Sequence, residues 1–310
     1  MTNGVLDFIE NIQDYEYETI SGGEKIEDNF PKSFQLKPYT VKDQGSIMAC
    51  VGCATATMLE AQFNEEFSEG WDYGRLRNDD ENFRGMIHTR TLDYLRTIGG
   101  VPKKNFDILK EMPDMKEICE KFPELDEKAK QFKISAYVKL NNGDTRTGQL
   151  KDLQIKKCIT ETKRPLFAIS PHAFGQSHAI VILGWNDDKN QYIIQNSWGL
   201  SYGNKGVGSV KKEDICQVYQ FIYEPVKLPF NDVTETDWFY NSVKSCYMAG
   251  LIKGKSETEF APQDYLTRAE SSVKDVRLMK KIDTALQTLS KIMNIKIDAL
   301  TKLINTKLGE

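Results

Sequence analysis

The sequence predicts an α+β fold: a helical lobe, then an antiparallel β lobe, then a small C-terminal helical unit ending in an amphipathic helix. Three observations carry this. From Cys50 onward, Ala54, Met58, Leu59, Ala61, Gln62 and Phe63 recur at roughly helical spacing. From Pro165 the chain changes to β-like runs, at 165–170, 179–184, 191–195 and 206–210. After Val226-Lys227 the composition shifts again.

Taken in order, residues 1–30 are polar and acidic, with Asp14-Tyr15-Glu16-Tyr17-Glu18 and Ser21-Gly22-Gly23, and are expected to form a flexible N-terminal arm. Residues 31–227 form the main domain, opened by Pro31-Lys32-Ser33-Phe34-Gln35-Leu36. Within it Cys50 starts a buried central helix. A second helix at 89–97 is closed by Gly99-Gly100-Val101-Pro102. Residues 103–130 are charged and helix-rich. Ile134-Ser135-Ala136-Tyr137-Val138-Lys139-Leu140 alternates like a strand, Asn141-Asn142-Gly143-Asp144 is a turn, and 153–162 is a helix. The apolar run Ala179-Ile180-Val181-Ile182-Leu183 reads as a buried strand. In the unit at 228–282, Gly250 ends one helix and Thr267-x-x-Glu270 is a capping box that starts another. Residues 283–310 place Leu286, Leu289, Met293, Ile297, Leu300 and Ile304 at three- and four-residue steps, a coiled-coil-like seam. Such a helix either joins copies of the chain into a homo-oligomer or packs onto its own chain.

Composition narrows the function classes. With 40% hydrophobic and 28% charged residues, the 310-residue chain falls among ordinary soluble globular proteins and is long enough to bury a core. Its net charge of −4 and scattered Lys and Arg argue against a nucleic-acid partner. No apolar run approaches the ~18 residues of a membrane span, so no membrane partner is expected. The first ten residues lack the basic and apolar regions of a secretory signal, which points to the cytoplasm by default. The six cysteines lie far apart except for Cys50 and Cys53, the pattern of a reducing compartment or of a fold that does not depend on disulfides.

The chemistry centres on Gln44 and, six residues later, Cys50. A thiol at a helix N-terminus sits in the field of unpaired backbone N–H groups, which favours the nucleophilic thiolate. Such a nucleophile needs a base and a group that orients the base. Of three histidines, His178 opens a strand and follows Cys50 by about 130 residues; His88 and His172 lack that context. The next strand ends in Asn196-Ser197-Trp198-Gly199, where the candidate for the orienting group lies.

In the chain order Gln44, Cys50, His178, Asn196, these stretches resemble the papain-like cysteine peptidases. The resemblance implies a two-lobed fold with a cleft between the lobes and a peptide or protein substrate. It also implies a Cys-His-Asn endopeptidase working through a thioester acyl-enzyme, with no cofactor and no metal. Gln44 then contributes to the oxyanion site and Trp198 shields the His178–Asn196 bond. Gly85-Met86 becomes the cleft wall, where exposed backbone pairs with an extended peptide. Ile47, Met48 and Val51 stand where the family's signature carries Cys, Gly and an aromatic residue. These departures motivate an alternative, a catalytically silent papain-fold binding or scaffold protein. Cys50-Val51-Gly52-Cys53 also matches a Cys-x-x-Cys redox or zinc half-site. The segment before it is not a convincing buried strand and no second close pair exists, so Cys53 reads as a packing residue.

In the last unit, Asp237-Trp238-Phe239-Tyr240, Gly250-Leu251-Ile252-Lys253-Gly254, Phe260-Ala261-Pro262 and Leu266-Thr267-Arg268-Ala269-Glu270 resemble one S-layer homology unit. That likeness implies a bacterial chain and a partner among anionic cell-wall polymers, with Trp238 and Arg268 at the matching positions. It also implies association with the cell envelope.

Overall fold

The computed structural model describes residues 15–16, 26–77, 85–111, 113–140, 152–171, 173–175, 177–223, 228–248, 251–280, 282–283, 286, 290 and 301. The chain divides into two compact units, one holding Lys25–Val226 and the other Lys227–Glu310. Most of the expected arm, the turn at 141–144, Gly250 and nearly all of the seam at 283–310 lie outside the described residues.

In the first unit the helices are α1 (Cys50–Phe63), α2 (Glu69–Leu76), α3 (His88–Thr97), α4 (Asp114–Glu120), α5 (Leu125–Ala129) and α6 (Asp152–Thr162). The strands are β1 (Ser33–Gln35), β2 (Ala136–Lys139), β3 (Leu166–Ser170), β4 (His178–Asn186), β5 (Gln191–Gln195), β6 (Val207–Lys211) and β7 (Gln217–Ile222). They form an antiparallel sheet in the order β2-β7-β3-β4-β5-β6, with β1 added alongside β4.

Two elements position the site. Helix α1 is buried along its whole first ten residues, so its apolar residues cover every side rather than one stripe, as expected of a helix in the middle of a core. It stops at Asn64, which takes the left-handed conformation at φ 53° and donates its backbone N–H to Glu60 O. Strand β4 is buried from His178 to Trp185, because α1 packs against it and strands pair on both sides. Its register is fixed against β3 by Ser170 opposite His178 and against β5 by Val181 opposite Gln195. The last predicted strand begins one residue later than expected. Gly206 has φ +88°, a conformation that glycine tolerates and a strand does not use, so it belongs to the preceding turn.

Helix α2 lies close against α1. A Cβ at Gly52 would come within 2.6 Å of Glu69 O, so only glycine allows the approach. Across this contact Thr55 Oγ1 donates to Asp72 Oδ2 at 3.1 Å, and Asp72 Oδ1 is buried with no partner. Burial pushes the Asp72 carboxyl up to about 7, against the Thr55 bond that lowers it. Between the ordinary carboxylate range and about pH 7 the folded state therefore holds a proton that the unfolded state has released. Stability falls as pH rises through that window. Asp72→Asn removes this loss, so its stability relative to the parent chain is expected to climb between pH 4 and 8, by roughly 4 kcal/mol at the top of the range. Urea unfolding at the two ends checks it; a difference that does not change with pH contradicts it.

The second unit has its own core of Phe230, Val233, Tyr240 and Val243, with Phe239, Tyr247, Ile252 and Phe260 packed around it. Helix α7 (Tyr240–Met248) supplies part of this core. The Asp232 carboxylate accepts from the backbone N–H groups of Phe260 (2.8 Å) and Ala261 (2.6 Å), which hold its pKa below the usual range. The capping box forms as the sequence predicts. Glu270 N donates to Thr267 Oγ1 (3.1 Å), Thr267 N donates to Glu270 Oε2 (2.8 Å), and residues 268–280 are helical.

Candidate active site

Cys50 is the first residue of α1. Its N-cap position is Ala49, which offers no side-chain acceptor, and the first turn contains no acidic residue. The positive end of the helix dipole is thus left uncompensated beside the thiol. The sulfur faces the start of β4: Ala179 N–H points at Cys50 Sγ across 3.5 Å. Val51, at the position of the family's aromatic residue, is turned into the core, and Ile47 and Met48 are half-buried.

His178 precedes Ala179 and is fully buried. Its Nε2 lies 2.7 Å from Asn196 Oδ1, and that same oxygen accepts Ser197 N–H at 2.7 Å. An atom accepting a backbone N–H must be the amide oxygen, so Nε2 carries the ring proton and Nδ1 is left with its lone pair. Nδ1 is buried and makes no hydrogen bond. Burial lowers the His178 pKa to about 4, partly opposed by the Asn196 bond. The ring is therefore neutral at pH 7 and able to accept a proton.

Aromatic rings wall the imidazole. Trp198 lies 5.1 Å from it, centroid to centroid, and Phe174 stands edge-on at 4.9 Å. Phe174 also meets Trp198 at 5.3 Å, and Tyr202 meets Trp198 from another side at 5.5 Å. These rings keep water from the His178–Asn196 bond. Phe174 escapes a reading of the sequence because it sits in the short connection between β3 and β4, with no periodicity or motif around it.

Gln44 is buried one segment away. Its backbone N–H donates to Ser197 O (2.9 Å), its side-chain oxygen accepts from Ser197 Oγ (2.5 Å), and its Nε2 donates to Ile47 O (2.7 Å). Ser197 thus ties Gln44 and Asn196 into one network, a role that the Asn-Ser-Trp-Gly string contains but does not announce. The segment before Cys50 is held to α1 by Lys42, whose buried ammonium meets Glu60 at 3.2 Å.

The structure accordingly brings together Gln44, Cys50, His178, Asn196 and Trp198. Gly85 and Met86 are both buried, and Met86 makes an isolated bridge to Arg77. His88 is packed between Phe167 and Tyr219 in the core, and burial takes its pKa down to about 3. His172 lies outside the described residues. All six cysteines are thiols, and among the described residues no cluster of metal-binding side chains occurs. No helix among them is long and apolar enough to cross a membrane. In the second unit, Trp238 is 92% exposed and Arg268 is exposed at the start of the 268–280 helix. A surface hollow of that unit is lined by residues including Leu251, Lys253, Phe260, Tyr265 and Arg277, and by neither Trp238 nor Arg268.

Residues 31–226 match the family model for papain family cysteine proteases, and residues 229–270 match that for the S-layer homology domain. Among solved structures, the chain is similar to xylellain, a cysteine protease from Xylella fastidiosa. Identity is 17%, the match covers 72% of this chain and 96% of the other, and the TM-score is 0.56. It is also similar to the cysteine protease and lectin-like domains of Cwp84, a surface layer associated protein of Clostridium difficile. There identity is 17%, coverage is 71% of this chain and 55% of the other, and the TM-score is 0.51. No curated protein sequence matches.

Proposed function

Because the chain belongs to the papain family of cysteine proteases and carries an S-layer homology domain, we propose that it hydrolyses peptide bonds through Cys50, His178 and Asn196. The Cys50 thiol gives its proton to His178 Nδ1, and the sulfur attacks the scissile carbonyl. Gln44 Nε2 and the Cys50 backbone N–H stabilise the resulting oxyanion. As the C–N bond breaks, Nδ1 protonates the leaving amine and a thioester remains. Water then attacks the thioester, giving a proton to Nδ1, and the sulfur leaves. Asn196 holds the ring in the tautomer this requires. The supporting observation is the one tautomer that the Asn196 contacts allow, with a buried, unbonded Nδ1 on the residue adjoining the Ala179 contact to the sulfur. A complete set of side chains in one place does not favour the silent-scaffold alternative.

Gln44→Ala tests the oxyanion assignment. kcat is expected to fall by about 10²–10³ with KM little changed, the usual cost of one oxyanion donor. A fall confined to KM would remove Gln44 from the transition state.

For the remainder, we place the peptidase at 31–227, the S-layer homology-like unit at 228–282 and an associating helix at 283–310. The proposed partner of the second unit is an anionic cell-wall polymer, met by Trp238 and Arg268, which would hold the chain at the cell envelope. Support comes from the family match and from the exposure of both side chains. The full chain is expected to co-sediment with purified cell walls, and Trp238→Ala with Arg268→Ala to reduce this by tenfold or more, ~1.4 kcal/mol. Unchanged sedimentation assigns the contact elsewhere. Self-association is supported by the exposed Val273, Val276, Met279 and Ile282, which lead into the 283–310 seam, and by the exposed Leu286 within it. A monomer by light scattering at micromolar concentration would remove this part of the reading.

A further inference from the structure

Cys53 follows the active-site sulfur by three residues, and no step of hydrolysis uses it. Residues three apart share one side of a helix, with Cα atoms about 5 Å apart, inside the roughly 4.4–6.8 Å that a disulfide spans. The pair lies in the first turn of α1. There Cys50 is the first helical residue and Ala49, at φ −102° and ψ 18°, is already outside helical geometry. The backbone of a first turn has few intrahelical bonds to lose, so a small shift can draw the two sulfurs together. Both residues are buried, and the other four cysteines lie far away in sequence. Burial, Glu69 and the adjoining Cys50 together hold the Cys53 thiol well above its ordinary range. Cys53 therefore stays protonated and does not compete with Cys50 for substrate.

We propose that Cys50 and Cys53 form a reversible disulfide within α1 when a hydroperoxide oxidises the active-site sulfur, which switches hydrolysis off and shields Cys50 from irreversible oxidation. The proposal rests on Cys50 being the reactive thiolate of the reading above. In the first step the Cys50 sulfur attacks one peroxide oxygen. An S–O bond forms, the O–O bond breaks, and the departing hydroxide takes the proton that the thiol has shed. The sulfur loses two electrons and hydrogen peroxide is reduced to water. In the second step Cys53, held in the same turn, gives up its proton as its sulfur attacks the Cys50 sulfur, because the Cys50 charge that helped to hold that proton is gone once Cys50 carries S–OH. The S–S bond forms, the S–OH bond breaks, and the hydroxide leaves with the Cys53 proton as a second water. A dithiol returns both electrons by exchange and restores the two thiols.

The test uses the full chain, hydrogen peroxide at stoichiometric levels, alkylation under denaturing conditions and tryptic mapping. Cys50 and Cys53 fall in one tryptic peptide, 43–75, which contains no other cysteine. That peptide is expected to be unalkylated and lighter by two hydrogens after peroxide, and doubly alkylated after peroxide followed by dithiothreitol. Activity is lost and regained in parallel. Cys53→Ala is expected to remain active and, with excess peroxide, to gain two or three oxygens on Cys50, a state that dithiothreitol does not reverse. A wild-type peptide that is doubly alkylated after peroxide, or that gains oxygen on Cys50 with no cross-link, overturns the proposal. The wild-type map decides this even if the variant does not fold. It also decides it if the chain cleaves no peptide, so failure of the switch and failure of the peptidase reading are told apart.

Discussion

Cys50→Ala is expected to reduce peptide hydrolysis to background, a fall of at least ~10⁴-fold in kcat/KM, with the fold intact. The reason lies in what the residue contributes to each property. Its sulfur is the atom that would form the acyl-enzyme, and no neighbour can take over, since Cys53 is buried one turn further on with a thiol held protonated. Structurally, the change removes one atom from a helix start whose other contacts stay in place. Stability is expected to fall by about 1 kcal/mol, the scale of a small core truncation. Cys50→Ser is expected to be equally inactive, because a serine hydroxyl is a far weaker acid than a thiol. Paired measurements of kcat/KM and urea unfolding check both halves. Hydrolysis surviving in Cys50→Ala would assign the chemistry to another residue.

His178→Ala is expected to cost on the order of 10⁴ in kcat, the upper range for a single acid–base group. The loss should appear in kcat rather than KM, because the ring acts on the proton and not on the binding of substrate. The double variant with Cys50→Ala should be no worse than Cys50→Ala alone, since the two groups act in one step. The pH profile of the parent chain gives an independent reading. Below about pH 4 the buried ring is charged and cannot take the thiol proton, so kcat/KM is expected to rise through about pH 4 and not through the ordinary histidine range. An acid limb near pH 6.5 would mean a solvated imidazole, which contradicts the burial of His178 beneath Phe174 and Trp198.

Much of this arrangement is legible in the sequence, and its limits are physical. Cys50, His178 and Asn196 stand at element boundaries, and boundaries are marked by local chemistry: a helix start, the first residue of an apolar strand, the end of the next strand. The capping box at Thr267 and Glu270 is legible for the same reason. Contacts made across the fold leave no such mark. Ser197 reaching Gln44, Phe174 meeting Trp198, and Thr55 reaching Asp72 all join residues well separated in sequence. Gly85-Met86 shows the converse. A glycine followed by a large apolar residue reads equally as an exposed cleft edge or a buried turn, and the pair does not announce its burial or the bridge from Met86 to Arg77. Val51 likewise reads as a departure from the family's string, yet its side chain is core packing, and the sulfur meets Ala179 N–H.

Peptide hydrolysis by this chain requires Cys50 to be a nucleophile activated by His178. The most direct measurement is the intact mass of the folded chain after incubation with an epoxide that traps reactive thiols. One adduct is predicted, mapped to Cys50, absent in Cys50→Ala and strongly slowed in His178→Ala. No adduct on the folded chain, or an adduct of the same yield in Cys50→Ala, would contradict it.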